Sequence, residues 1–536
     1  MKKRAISVFL VTVLILGALA GCGGSGGGSK RVNKSKLIGN TYVEDFPIVK
    51  ETETLKIMVV KLPNHSDLDT MGFTTEYEDL TNVKVDWNVV TPNDIDSQKT
   101  LALTSGNLPD VMCLLDNRLG DNDLLTYSKN GTFIQLDELI ETYGSNIKKM
   151  FEKYPDVEAN SKSIDGKIFS LPTVNKSSEN HMRFPYKLYI RQKWLDNLGL
   201  EIPTTVNQFY DVLKAFKKDD PNGNGDADEI PFAMPGINPS YFGSWGVSYH
   251  FTTRNLSVDE NGQVQYSYAT DGTKKGLSFL NRIVSEELGV MFDTDNKFNT
   301  RVKNGMVGAF YGIDKYNVAG EIGDEYEMVA PLNAEDGSQP TLSVSNDTIP
   351  NIFVITKACK NPATALRWVD YFYSAEGSLL ANYGKEGDLI EKAKNGKYEF
   401  ITGKNALDRY QYTLGHALPM LIDDDINGLI LTGEDSKSDI NIMRERELID
   451  DTKNTYFGKY EPKNEIGLIF PDEQANAVID KYWTGITDYA NEKINQFALG
   501  EENVDTGWSA YIAELEKKGY KEVMAEFQRI YDQQRK

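Results

Sequence analysis

The densest run of potential metal ligands in the chain is residues 220–231, Asp-Pro-Asn-Gly-Asn-Gly-Asp-Ala-Asp-Glu-Ile-Pro. Acidic and amide side chains alternate along it, and Gly225 stands where an EF-hand loop turns sharply. Calcium is a hard cation that binds about six to eight oxygen atoms, supplied in such loops by alternate residues. We therefore predict one bound calcium ion. Its ligands would be the backbone carbonyl of Asp226 and the side-chain oxygens of Asp220, Asn222, Asn224, Asp228 and Glu229.

The run departs from the EF-hand pattern at its last position, where Pro231 offers no carboxylate. Glu229, two residues earlier, is the expected substitute for the bidentate ligand. The alternative interpretation is a polar Asn-Gly turn that follows a helix. The number and spacing of the candidate oxygens favour the metal, which we expect to have a structural rather than a catalytic role.

The elements around this loop alternate between strand and helix, which predicts an α/β fold with a mostly parallel sheet. Thr205 and Gln208 form a capping box for the helix that leads into the loop. The apolar spacing after residue 471 predicts an almost wholly helical carboxy-terminal region. In the first part of the chain, the expected strands are 55–60, 83–90 and 109–115, and the expected helices are 73–80, 96–103 and 136–151.

The residues on both sides of the loop carry a family resemblance. Residues 189–205 read Tyr-Ile-Arg-Gln-Lys-Trp-Leu-Asp-Asn-Leu-Gly-Leu-Glu-Ile-Pro-Thr-Thr and lead through one helix into Asp-Pro-Asn-Gly-Asn-Gly and Asp-Glu-Ile-Pro. This order resembles the extracellular solute-binding proteins, family 1, of ABC importers, in their large oligosaccharide-binding lipoprotein branch. Further matching pieces are residues 105–111, 166–172, 303–308 and 383–387, so the resemblance covers nearly everything after residue 50.

The resemblance implies a two-lobed, periplasmic-binding-protein-like fold of type II, with the ligand in a cleft between two α/β lobes. We expect the chain to cross between the lobes near Pro172, Gly312 and Tyr383. The first lobe would then combine residues 45–172 with 313–383. The second lobe would combine residues 173–312, including the calcium loop, with the partly helical residues 384–536. Closure of the lobes on a ligand would be a hinge motion.

The first residues predict export and anchoring. Residues 1–21 begin with a basic stretch and continue with an apolar segment that is short for a membrane span, as in a signal peptide. Leu-Ala-Gly-Cys at residues 19–22 resembles a bacterial lipobox, in which Cys22 becomes lipidated. Residues 22–44 start with a Gly/Ser stretch typical of a flexible tether. We expect an extracytoplasmic protein that is attached to the cell membrane through a lipid on Cys22.

The composition fits this location. The 79 acidic residues outnumber the 58 basic ones, giving a net charge of −21, which argues against nucleic acid and against binding to anionic lipid surfaces. Cys113 and Cys359 are the other cysteines; a disulfide between them is possible, but their apolar surroundings favour buried free thiols. We expect a monomer.

The chemistry of sugar rings indicates which residues could contact a ligand. Sugar rings have apolar C–H faces, so oligosaccharide sites use aromatic platforms with polar groups around them. The glycine-broken, aromatic-rich residues 239–251 and the residues near the expected crossings are therefore candidates, as are polar residues after a strand end. The predicted ligand contacts are Trp245 and Tyr249 as leading platforms, with Tyr241, Tyr311, Tyr383, Asp116 and Asn117.

Two other functions remain open from the sequence. An extracellular glycosidase would need two positioned carboxylates, but none of the acidic residues has a recognisable catalytic setting. The chain contains no His-Glu-x-x-His or Walker-type motif. Residues 23–27 fit the Gly-x-Ser-x-Gly string, but they belong to the Gly/Ser tether and do not form a nucleophile elbow. A ligand-binding subunit of a sugar sensor would have the same sequence features as an importer subunit that works with permease subunits. We predict a non-enzymatic binding protein that delivers an oligosaccharide to an ABC importer.

Overall fold

Two α/β sheets form the frame of the protein. The computed structural model describes residues 36–114, 118–163, 165–249, 254–292, 294–404, 406–430, 440–467, 469 and 471–534. The strands are β1 Leu37–Ile38, β2 Thr41–Tyr42, β3 Glu53–Val60, β4 Val83–Val90, β5 Val111–Cys113, β6 Leu171–Asn175, β7 Lys187–Arg191, β8 Ile230–Met234, β9 Leu256–Val258, β10 Val264–Tyr266, β11 Gly289–Met291, β12 Val307–Gly312, β13 Tyr326–Val329, β14 Thr348–Ile355, β15 Ile390–Lys392, β16 Tyr398–Phe400 and β17 Leu421–Ile422.

The helices confirm the expected alternation. They are α1 Gly72–Thr81, α2 Ile95–Ser105, α3 Asp121–Lys129, α4 Asp137–Tyr143, α5 Ser145–Lys153, α6 Pro155–Ser161, α7 Gln192–Leu198, α8 Val206–Lys218, α9 Asp271–Ser285, α10 Asp295–Lys303, α11 Lys315–Ala319, α12 Pro362–Asp370, α13 Ala375–Tyr383, α14 Asp424–Asn427, α15 Ile440–Thr455, α16 Glu473–Leu499, α17 Val504–Lys517 and α18 Tyr520–Gln534. None of the helices in the described ranges is long and apolar enough to cross a membrane.

Each sheet belongs to one lobe. The first sheet has the strand order β17-β6-β14-β5-β3-β4, and the second has the order β11-β8-β12-β7-β13. In the first sheet β3, β4 and β5 are parallel, and β14 runs antiparallel to its neighbours β5 and β6. In the second sheet β8, β11 and β12 are parallel, and β7 runs antiparallel to its neighbours β12 and β13. The sheets are thus mostly parallel with antiparallel members, and the predicted two-lobed α/β fold is confirmed.

The strand directions define one functional edge in each sheet. The carboxyl ends of β3, β4, β5, β6 and β17 meet at the same edge of the first sheet, where β14 begins. The carboxyl ends of β8, β11, β12 and β13 meet at one edge of the second sheet, where β7 begins. The chain passes from the end of β6 to the start of β7 and from the end of β13 to the start of β14. Because both connections join these two edges, the edges face each other across the cleft.

Two expected lobe boundaries differ from those in the structure. β13 pairs with β7, so residues 313–329 belong with the second sheet and not with the first lobe. β17 pairs with β6, and Leu389, Phe400 and Leu414 are buried in the core around the first sheet, so residues 384–422 belong to the first lobe. The chain therefore crosses after β6, after β13 and between α14 and α15. The strand pairing overrides the boundaries near Gly312 and Tyr383, because short local sequence does not reveal which sheet a strand joins.

The two lobes have separate apolar cores. Trp368 is buried with the first sheet and Trp194 with the second. The carboxy-terminal helices α16, α17 and α18 pack on the second lobe, where α9 contacts α16 and α17. Cys113 and Cys359 are free and buried, and Cys113 Sγ donates to the Ala417 carbonyl at 2.9 Å. The expectation of buried thiols is confirmed.

The predicted helix over residues 136–151 is in fact two helices, α4 and α5, which meet at Gly144. A Cβ atom at Gly144 would lie 2.8 Å from the Ile140 carbonyl oxygen, so the chain can turn this closely only with glycine. The start of α5 is then held by Asp370, whose Oδ1 accepts hydrogen bonds from the backbone N–H groups of Asn146 and Ile147. A distant carboxylate thus does what a local cap does elsewhere.

Candidate ligand cleft and calcium loop

The candidate calcium loop, residues 220–229, is positioned by α8. The predicted capping box is confirmed, since Thr205 Oγ1 accepts from the Gln208 N–H at 3.1 Å and Gln208 Oε1 accepts from the Thr205 N–H at 3.2 Å. The apolar face of α8 is buried in the second lobe. This packing directs the end of α8 toward the amino end of β8, with residues 219–229 connecting the two.

Backbone N–H groups already organise the side-chain oxygens of this loop. Asp220 accepts from the N–H groups of Asn224 and Gly225 at 3.2 and 3.0 Å, and Asn224 Oδ1 accepts from the Asp226 N–H at 2.7 Å. Gly225 has a φ of 82°, a conformation that favours glycine. Asn222 and Asn224 both reach Asp228 Oδ1, with amide nitrogens 2.9 and 3.2 Å away. The loop therefore folds around its own side-chain oxygens, which are potential metal ligands.

Glu229 has an unsatisfied carboxyl oxygen in this loop. The residue is only 6% exposed, and its Oε1 is buried without a hydrogen-bond partner among the described residues. Burial raises the pKa of Glu229, and the nearby carboxylates Asp228 and Asp220 raise it further. A buried carboxylate oxygen whose pKa is raised by two other carboxylates is an arrangement that a cation would stabilise. The donor set of oxygens fits calcium.

The oxygen atoms that could bind calcium do not come from charged side chains alone. In the described ranges, no three His, Cys, Asp or Glu side chains are gathered closely enough to form a metal site by themselves. The fit to calcium therefore depends on the amide oxygens of Asn222 and Asn224 and on backbone carbonyls. Because Glu229 directly precedes β8, the loop lies at the edge opposite the cleft. A metal there is placed to support the second lobe, not to contact a ligand.

The predicted aromatic residues follow the cleft edge of the second sheet but differ in exposure. Residues Pro239–Trp245 form a 3-10 helix after β8, and Tyr311 is the next-to-last residue of β12. The rings of Tyr241 and Tyr311 are 5.8 Å apart, and those of Tyr241 and Trp245 are 6.0 Å apart. Tyr241 and Tyr249 are 4% and 2% exposed, which gives them a packing role in the lobe core. Trp245, one of the two predicted platforms, and Tyr311, a predicted ligand contact, are partly exposed and stay predictions.

A polar contact from lobe to lobe lies at one side of the cleft. Asp121, the first residue of α3, follows the carboxyl end of β5, and its Oδ2 is 3.8 Å from Arg254 Nη1 of the second lobe. Asn351 Nδ2 donates to Asp121 Oδ1 at 3.3 Å. Burial raises the pKa of Asp121, whereas Arg254 and the hydrogen bond from Asn351 act in the opposite direction. These three side chains are new candidates for ligand contact.

A second polar group surrounds Tyr383, which is partly exposed in the first lobe. Burial raises the pKa of Tyr383, Arg409 lowers it, and Glu445 of α15 raises it further. His181 Nε2 lies 3.4 Å from Glu445 Oε1. Burial raises the pKa of Glu445, but His181 and Arg409 outweigh that effect and hold it below its usual value. The structure thus brings Tyr383 to a charged junction between the lobes.

Some predicted residues cannot be compared with the structure. Asp116, Asn117 and Cys22 lie outside the described residues. Sequence reasoning missed Asp121, although its place after a strand and a glycine, at a helix start, is a recognisable signal. It also missed Arg254 and Asn351, because only the lobe arrangement brings them to Asp121.

Known proteins share this architecture. The fructooligosaccharide ABC transporter substrate-binding protein FusA of Streptococcus pneumoniae serotype 4 (strain ATCC BAA-334 / TIGR4) is 28% identical over 559 residues, which cover 99% of this chain and 98% of the relative. The solved structure of S. pneumoniae FusA in complex with kestose has a TM-score of 0.77 at 27% identity and covers 90% of this chain and 99% of that chain. A structure of a FusA EF-hand mutant in complex with fructo-nystose has a TM-score of 0.76 at 26% identity, with the same coverage.

The family description of a bacterial extracellular solute-binding protein matches residues 64–378, which is more than half of the chain. The matched region contains strands of both sheets and both connections between their facing edges. The family and the relatives above are binding proteins rather than enzymes. Because of this match and of the two-lobed fold, we conclude that this chain belongs to the bacterial extracellular solute-binding proteins.

Proposed function

We propose that the protein binds an oligosaccharide of several residues between its lobes and delivers it, chemically intact, to an ABC importer. The observation that carries the proposal is the pair of facing sheet edges, whose residues include partly exposed aromatic rings and hydrogen-bonding side chains. Aromatic platforms with polar groups around them suit sugar rings. The relative FusA is named as a fructooligosaccharide-binding subunit of an ABC transporter, which supports the same ligand class here.

Binding would couple to closure of the lobes. The lobes are joined by the connections after β6 and β13 and by the one that leads to α15. A ligand that contacts both edges stabilises the closed arrangement by its additional contacts, as in hinge closure generally. A calcium ion in residues 220–229 would stabilise the second lobe without contacting the ligand. The FusA structure described as an EF-hand mutant supports a cation loop in such proteins.

The test is a thermal-shift screen of the purified protein against neutral and acidic oligosaccharides, followed by calorimetry on the hits. Ligand binding to the native state raises the unfolding temperature. Small-angle scattering should show a more compact particle with ligand, and chromatography should recover the sugar unchanged. Cleaved product would instead show a glycosidase. Binding without transport in cells that contain the importer would favour the sensor alternative.

We expect Trp245→Ala to weaken binding of the best ligand by about 10-fold or more, because a large ring in a desolvated contact carries much of the binding energy. Trp483→Ala is the matched control: this ring is partly buried against Tyr266 and Phe527, away from the cleft edges. Calorimetry at a temperature at which both variants are folded should show a loss of affinity only for Trp245→Ala. Equal affinities in the two variants would remove Trp245 from the site.

We also propose that Cys22 carries the lipid that holds the protein on the membrane. The expected result of Cys22→Ser is release of the protein into the medium, because the segment before it is short for a membrane span. Fractionation followed by immunoblotting measures this, with Cys113→Ser as the control, since Cys113 is buried in the first lobe. A Cys22→Ser protein that stays in the membrane fraction would indicate a retained apolar anchor.

A further inference from the structure

In the described part of the chain, two arginines between the lobes are paired with acids of the protein itself. Arg254 is paired with Asp121 from the opposite lobe at 3.8 Å. Arg446 of α15 has Nη1 3.0 Å from Glu179 Oε1, and Glu179 lies on the connection that follows β6. The same arginine also pairs with Asp450, whose Oδ1 lies 2.9 Å from Arg446 Nη2.

Arg409 lies at the junction around Tyr383, where its Nη1 is 3.4 Å from Asn382 Oδ1. Its positive charge lowers the pKa of Glu445. Glu445 is also held by His181 at 3.4 Å. Arg254 and Arg446 therefore face carboxylates of the same protein, and a ligand carboxylate would have to compete with those carboxylates.

Asp121 is the carboxylate best positioned to accept a hydrogen bond from a sugar hydroxyl group. Asn351 donates to its Oδ1, and Ser170 Oγ in turn donates to Asn351 Oδ1 at 2.8 Å. Asn351 is 1% exposed and has a φ of 57°, at the point where the β14–β6 pairing is irregular. A buried residue held in this uncommon conformation fixes its amide in place. Among the described residues, Oδ2 of Asp121 makes the looser pairing with Arg254 at 3.8 Å, and a carboxylate oxygen has lone pairs for a further donor.

We propose that the cleft selects an uncharged oligosaccharide and that Asp121 is the specificity-determining acceptor for its hydroxyl groups. A neutral sugar can donate to Asp121 and accept from Arg254 without disturbing the charge balance. An acidic sugar brings its carboxylate against Asp121 in a partly desolvated space, where like charges side by side are strongly unfavourable. This inference rests on the proposed oligosaccharide function and names the class of sugar.

Calorimetry on the full-length mature protein tests the inference with neutral fructans, glucans and mannans and with acidic galacturonates and alginates, all of three to six sugar residues. The wild type is expected to bind its best neutral ligand about 100-fold or more tightly than any acidic one. The comparison is made at about 0.15 M and about 0.5 M salt, because salt screens the repulsion by the overall negative charge more than local contacts. Selectivity that disappears at the higher salt would overturn the inference.

Asp121→Asn separates a specificity role from a structural one. Loss of the charged acceptor is expected to weaken neutral binding by about 10–100-fold. Arg254 would then be available to an acidic ligand, so the preference for neutral over acidic sugars should fall by about 10-fold or more. The control is Glu473→Gln, which neutralises another acid paired across the lobes: Glu473 is 2.8 Å from Lys129 on α3 but its side chain is 85% exposed. It should leave the affinities and the preference unchanged.

The outcomes distinguish this inference from the proposed function. Wild-type protein that binds galacturonates or alginates more tightly than every neutral sugar overturns the inference and leaves the oligosaccharide function intact. An Asp121→Asn variant that loses both ligand classes equally overturns the role of Asp121. Failure of every oligosaccharide to bind the wild type would overturn the proposed function itself.

Discussion

Replacing Asp370 by alanine is expected to lower the free energy of unfolding of the first lobe by about 3–5 kcal/mol. The side chain is fully buried at the end of α12, and its Oδ1 accepts from the N–H groups of Asn146 and Ile147 at 3.0 and 2.9 Å. Burial raises the pKa of Asp370, although the N–H of Ile147 and the Arg367 guanidinium oppose that rise. Alanine would leave two N–H groups unsatisfied and would leave Arg367, itself 4% exposed, without its acid partner at 3.5 Å.

Two variants separate the causes of this loss. Asp370→Asn keeps an oxygen for the two N–H groups of α5 and should lose about 1–3 kcal/mol. Asp96→Ala removes an exposed carboxylate that is paired with Arg118 at 3.0 Å and should lose less than about 1 kcal/mol. Urea unfolding followed by tryptophan fluorescence measures all three, with separate transitions fitted for a two-lobed protein. An Asp370→Ala effect as small as that of Asp96→Ala would contradict the assignment.

The sequence predicted those elements that local patterns specify. The strand expected over 83–90 is β4, Val83–Val90, because alternating residues there present one face to the core. The capping box at Thr205 and the helical region after residue 471 are also confirmed. In each case the signal lies within one element, so no knowledge of distant contacts was needed.

The features that escaped prediction depend on distant partners. The membership of β13 in the second sheet follows from its pairing with β7, more than a hundred residues earlier. The cap of α5 is supplied by Asp370 and the support of Asp121 by Asn351, which are likewise remote in sequence. The burial of Tyr241 and Tyr249 follows from packing around the aromatic segment after β8, which its composition does not disclose. Sequence patterns thus located the cleft edge but not which side chains face it.

Removal of calcium is expected to lower the free energy of unfolding of the second lobe by about 3–4 kcal/mol at millimolar calcium, if the affinity is micromolar. The physical reason is the buried Glu229 Oε1, which lacks a hydrogen-bond partner beside the carboxylates Asp228 and Asp220. Without the cation, their repulsion and the desolvation of Glu229 remain uncompensated. Ligand affinity should change little, because the loop precedes β8 at the edge opposite the cleft. Thermal unfolding with calcium or with chelator, together with calorimetry on the sugar ligand, measures both effects.

Substitutions within the loop decide whether the metal or the turn is responsible. Glu229→Gln removes the buried charge and should abolish most of the stabilisation by calcium, while the chelated variant should be at least as stable as the chelated wild type. Asp226→Asn is the matched control, because Asp226 is exposed and its predicted contribution is a backbone carbonyl that the substitution retains. It should respond to calcium as the wild type does. If chelator leaves the wild type unchanged, or if both variants respond alike, the segment is an ordinary polar turn, and Glu229 is buried for packing alone.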